Sequence, residues 1–77
     1  MLENVAKDPK GNKIFVSGPV KDRSFIIEVE SGKGRRFAPC DICFTTKLAA
    51  ELAAKEASHY EVESSEFCKT LIDLVQA

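Results

Sequence analysis

At 77 residues the chain has room for one hydrophobic core, and a chain of this size buries only roughly 60 to 65% of the surface it would expose unfolded, which argues against a deep enzyme cleft. Hydrophobic residues make up 44% and charged residues 30%, the balance of a folded globule and not of a disordered tail. Net charge is −1, but residues 1–36 carry eight Lys/Arg against five Asp/Glu and residues 37–77 carry three against seven. A general nucleic-acid binder is disfavoured, while a local basic face is not.

The opening MLENVAKDPKGNK contains Asp8, Pro9, Gly11 and Asn12, turn formers without periodicity, so residues 1–12 are expected to be a flexible lead-in to one domain over 13–77. This opening also lacks the cationic start and apolar run of a secretory signal, and no segment approaches membrane-spanning length. The expectation is a cytoplasmic protein without membrane contact.

KIFVSG, residues 13–18, is a β-branched and aromatic run closed by Gly18 and Pro19, hence a strand and a turn. In RSFIIEVE, Phe25, Ile27 and Val29 alternate with Ser24, Glu28 and Glu30, the period of a half-buried strand. The glycines of SGKG permit a hairpin, returning a third strand through Arg35 and Phe37 that Pro39 cuts short. Thr45 or Thr46 can cap a helix over roughly 46 to 58, with Leu48 and Leu52 beside Ala49 and Ala53 as its apolar stripe and Lys47, Glu51 and Lys55 as a charged one. HYEVE alternates Tyr60 and Val62 with Glu61 and Glu63, a short fourth strand. Ser64 or Ser65 then caps a last helix whose Phe67, Leu71, Leu74 and Val75 share a face. The expected fold is α+β, a small antiparallel sheet (a three-stranded meander plus a fourth strand) packed with two helices in the order β-β-β-α-β-α.

Two patterns carry chemistry worth weighing. Lys33, Arg35 and Arg36, with Lys21 and Arg23, would form a phosphate-contacting face if they shared one side of the sheet, although no phosphate-cradling loop accompanies them. Cys40 and Cys43 have C-x-x-C spacing and, with His59 and Cys68, could supply a Cys₃His zinc set. The favoured alternative treats the cysteines as small hydrophobes, with Cys40, Ile42 and Phe44 alternating inward and Cys68 beside the last helix's stripe. Three cysteines cannot form a complete internal disulfide framework, and a reducing compartment is the simpler expectation. No nucleophile, base and orienting group stand in a recognisable pattern, so no enzyme and no cofactor are expected.

Residues 24–56, SFIIEVESGKGRRFAPCDICFTTKLAAELAAKE, resemble in layout the arm-type DNA-binding domains of phage integrases, in which FTTKLAA echoes the passage from third strand to helix. That resemblance implies a sheet placed in the major groove. In size, charge pattern and lack of catalytic residues the chain also resembles small phage and mobile-element inhibitors, including anti-CRISPR proteins. That resemblance implies a non-enzymatic protein that covers a partner's surface, as a monomer or homodimer. Its expected contact residues are Phe15, Lys33, Arg35, Arg36, Glu51, Tyr60, Glu61 and Glu63, chosen as exposed aromatics, arginines and the acidic helical side. A DNA-contacting module using the basic hairpin face is the alternative.

Overall fold

The computed structural model describes residues 4–76. β1 (Ala6–Lys7), β2 (Lys13–Ser17), β3 (Ile26–Glu30) and β4 (Arg36–Phe37) form one antiparallel sheet in that order, followed by α1 (Lys47–Ala57) and α2 (Ser65–Val75). The expected α+β class, with four antiparallel strands and two helices, is what the chain adopts. β2 and β3 set the register, pairing Ile14 with Val29 and Val16 with Ile27. All four of these side chains join the core under the helices, so the period-two pattern sends one face inward.

The other face holds Phe15, Glu28 and Glu30. Phe15 is nonetheless only 4% exposed, because the Arg36 guanidinium lies 3.9 Å from its ring centroid and is held there by Glu30 at 3.7 Å. The Ser17 hydroxyl donates to the Glu28 carboxylate on the same side.

The fourth strand is not where the sequence placed it. Residues 59–63 are turn, and the sheet position goes to Ala6–Lys7, inside the segment expected to be a flexible lead-in. The turn formers Asp8 to Asn12 close a β1–β2 hairpin, with Asp8 N–H donating to Asn12 O at 3.0 Å and Gly11 N–H to Asp8 O at 2.9 Å. Residues 1–3 of that lead-in lie outside the described residues. At 59–63 the alternation fails because only Val62 is buried and Tyr60 is 42% exposed. Tyr60 N–H returns to Ala57 O and Ser64 N–H to Glu61 O, so the backbone is satisfied by tight turns and not by a neighbouring strand.

Asp8 holds this arrangement together. Its carboxylate accepts from Lys10 N–H, Asn12 N–H and Asn12 Nδ2, and across the molecule from Val62 N–H at 3.0 Å. Burial pushes the carboxyl up, but these hydrogen bonds together outweigh it and hold Asp8 below its ordinary value.

Phe67 and Leu71, four apart on α2, have no exposed surface and fill the core with Ile14 and Val29, each contributing about 1.5 to 3 kcal/mol of burial. Thr46 caps α1 by accepting from Ala49 N–H at 3.0 Å. Ser64 precedes α2 without a side-chain cap, since its hydroxyl donates to Glu61 O.

Gly18 ends β2 at φ +146°, and a Cβ there would meet Phe25 Cδ2 at 2.8 Å and Ser24 O at 2.9 Å. Gly18→Ala is therefore expected to cost about 1 to 2 kcal/mol in a urea titration. An unchanged midpoint would show that the turn has room the geometry denies it.

Candidate protein-docking site

α1 buries alanines and exposes leucines. Ala50, Ala53, Ala54 and Ala57 stand at i, i+3, i+4 and i+7, are no more than 2% exposed, and face the sheet. Leu48 and Leu52, expected to be core, point outward at 65% and 58% exposure. The reason is steric: the space between α1 and β2 is already filled by Ile14, Val16, Phe67 and Leu71, and methyl side chains let the helix sit close.

Beside the outward leucines lies a groove of about 430 Å³ lined by Phe44, Ala49, Leu52, Ala53, Glu56 and Leu74. Leu74, expected on the buried stripe of α2, is 38% exposed at its rim. One carboxylate, Glu56, borders an otherwise apolar lining. Isolated exposed leucines are ordinary, but Leu52 and Leu74 lining one apolar depression, with the exposed Leu48 one turn away on α1, are the pattern of a recognition surface.

The contact residues proposed from sequence fall in several places. Phe15 is covered by Arg36 and offers little area of its own. Lys33 and Arg35 stand exposed at the β3–β4 turn, where Gly34 N–H donates to Ser31 O and Ser31 N–H to Arg35 O. Tyr60, Glu61 and Glu63 lie on the α1–α2 connection, Glu61 facing Lys10 at 3.8 Å with both side chains largely in water. Glu51 lies on α1 beside the leucine ridge. Of the whole set, Glu51 alone belongs to the element that carries the groove. The basic residues do not converge: Lys21 and Arg23 precede β3, whereas Lys33, Arg35 and Arg36 follow it, and a strand of five residues separates the groups by about 15 Å.

The zinc set is not assembled. Cys40 and Cys68 form a disulfide with Cα atoms 5.8 Å apart, and Cys43 is free and exposed. His59 Nδ1 donates to Glu56 O at 2.9 Å, the imidazole capping the end of α1. Among the described residues no group of three or more His, Cys, Asp or Glu is placed to hold a metal ion. The expected inward course of Cys40, Ile42 and Phe44 holds, since all three pack on the core. That course brings Cys40 over the first turn of α2, where Cys68 meets it. The expectation that the thiols stay unpaired therefore fails for two of the three.

No family model, curated protein or solved structure matches this chain. Among the described residues no helix is long and apolar enough to cross a membrane.

The signal for the groove was present in the sequence as alanine periodicity. Ala50, Ala53, Ala54 and Ala57 trace a helical stripe as regular as any leucine pattern, built from methyl groups in place of large side chains. The reach of Asp8 to Val62 had no local signal, because it joins residues 54 apart.

Proposed function

We propose that this chain is a non-enzymatic protein-binding domain that docks through the α1–α2 groove, in the manner of a small phage or mobile-element inhibitor that acts by covering a partner's surface. The observation that carries this reading is the inverted helix, with alanines inside and Leu48 and Leu52 outside. A domain this small gains from every buried leucine, so leaving two in water while burying four methyl side chains is understandable when another surface covers them. Leu74 and the side of Phe44 extend the apolar area, while Glu56 and Glu51 supply a charged border that sets orientation. The separation of the basic residues weighs against a DNA-reading sheet. The Cys40–Cys68 bond favours a compartment that permits disulfides over a reducing cytoplasm.

Photo-crosslinking from positions 48 and 52, set against the exposed Lys69 on α2, tests this docking surface. Products are expected from 48 and 52 and not from 69. Equal yields from all three positions would remove the groove as the binding surface.

A further inference from the structure

We propose that the three cysteines form a thiol–disulfide exchange switch, in which Cys43 displaces Cys68 from Cys40 and so unties α2 from the segment that enters α1. The exchange is independent of the docking reading above and holds or fails without it.

The reacting groups are close in the chain and open to water. Cys40 and Cys68 are bonded to each other and only half-buried, and the free Cys43 stands exposed three residues after Cys40. The segment between them is held weakly. Pairing with β3 ends at Phe37, and the backbone is next fixed at Phe44, which exchanges two hydrogen bonds of 2.8 Å with Phe25. Among the described residues no backbone hydrogen bond to other backbone involves residues 38–43. Their position therefore depends on the disulfide at Cys40 and on Ile42 packed against the core, which is the signature of a segment that opens locally. A β-turn brings its first and fourth Cα atoms within about 7 Å, and a disulfide spans about 4.4 to 6.8 Å. Closing Cys40 to Cys43 into one turn thus brings the two within bonding range.

The step balances without an outside reagent. The Cys43 thiol gives its proton to water, and its sulfur attacks Cys40 Sγ along the line of the existing bond. A Cys43–Cys40 bond forms as the Cys40–Cys68 bond breaks, and the electron pair leaves on Cys68 Sγ, which then takes a proton from water. One disulfide and one thiol stand on each side, so nothing is oxidised or reduced overall.

Cys68 is placed to be the leaving group. It lies in the first turn of α2, where the positive end of the helix dipole favours a departing thiolate. Its sulfur also lies 3.3 Å from Pro39 O, an acceptor for which a bonded sulfur has no proton and a released thiol has one. Ile42 opposes the exchange, because its inward packing turns Cys43 outward, and the Cys40–Cys68 form is accordingly the resting one. The exchange shortens the covalent tie from a separation of 28 to one of three. Phe44 and Leu74, on the two sides of the groove, then lose the bond that holds their elements together.

Thiol counting is blind to this exchange, since one thiol is free in either form, so the test is which cysteine carries it. The unaltered chain is held without reductant at about pH 8.5, near the ordinary thiol value, quenched in acid at intervals, alkylated and mapped by peptide mass. Alkylated Cys68 should rise from nothing to a steady minority, about 0.1 to 10% of chains, and Cys43→Ser should show none. Ile42→Gly removes the inward anchor and adds a turn former, and should raise that minority several-fold. Far-UV circular dichroism shows that each variant remains folded. Rates at rising urea below the unfolding transition identify the route: exchange within the folded chain keeps its rate, whereas exchange through the unfolded chain quickens about fivefold or more per molar.

A further variant needs no minority species. Cys68→Ser, treated with glutathione disulfide, should lose both remaining thiols to a Cys40–Cys43 bond, with two electrons and two protons passing to two glutathione molecules. Cys43 as the sole alkylated residue at every time, Cys40 released in place of Cys68, a rate that climbs with urea, or lasting glutathione adducts in place of the Cys40–Cys43 bond would each overturn the proposal.

Discussion

Replacing Cys40 and Cys68 together by alanine is expected to lower the unfolding free energy by about 3 to 4 kcal/mol. The bond closes a loop across a sequence separation of 28, and in the chain-entropy account its loss returns that freedom to the unfolded state. The loop contains the segment leading into α1, all of α1 and the start of α2, so the freed segment carries every lining residue of the groove except Leu74. Guanidinium titration of the double variant beside the unaltered chain measures the difference. Midpoints that coincide would mean that the bond contributes nothing to the folded state. Thiol counting provides an independent check: the unreduced, denatured chain should titrate one thiol, Cys43, and the reduced chain three.

Asp8→Ala is the second large effect, expected at about 2 to 3 kcal/mol, because it leaves the buried Val62 N–H without an acceptor and opens the β1–β2 turn at once. The neighbouring Lys10–Glu61 pair is too exposed to compensate. Hydrogen bonding lowers the folded-state value of Asp8 below 3.8 against the opposing effect of burial. A carboxylate lowered on folding stabilises the fold above its unfolded value, and that contribution is lost as pH falls through the folded value. The unaltered chain should therefore lose stability below about pH 4, with a steeper fall than Asp8→Ala shows over the same range. Parallel curves for the two proteins would remove Asp8 as the source. Asp8→Asn, which keeps one acceptor oxygen, should lie between them at neutral pH.

Both effects lie on the supports of the groove and not on its surface. Asp8 fixes the connection between α1 and α2, and Cys40–Cys68 fixes α2 against the segment leading into α1. Loosening either lets Leu74 and Phe44 move relative to Leu52, so the docking surface depends on two long-range ties that touch none of its lining residues.

What the sequence determined by itself was everything carried by short-range periodicity. Alternation in 25–29 specified β3 and its inward Ile27 and Val29, the glycines of SGKG specified the β3–β4 turn, and Thr46 with an alanine-rich run specified α1 nearly to the residue. The phase of α1 was legible as well, in alanines whose small size hid their regularity. Tertiary structure alone decided which residues took the remaining places. Residues 59–63 alternate as well as a strand does, but Val62 N–H went to Asp8 and the sheet position to Ala6–Lys7. Cys40 and Cys68 met because an extended segment crossed a helix, and the five basic residues separated because β3 stands between their loops. Each of these outcomes depends on a contact between residues far apart in the chain, where spacing carries no information and only the packed core determines who is adjacent to whom.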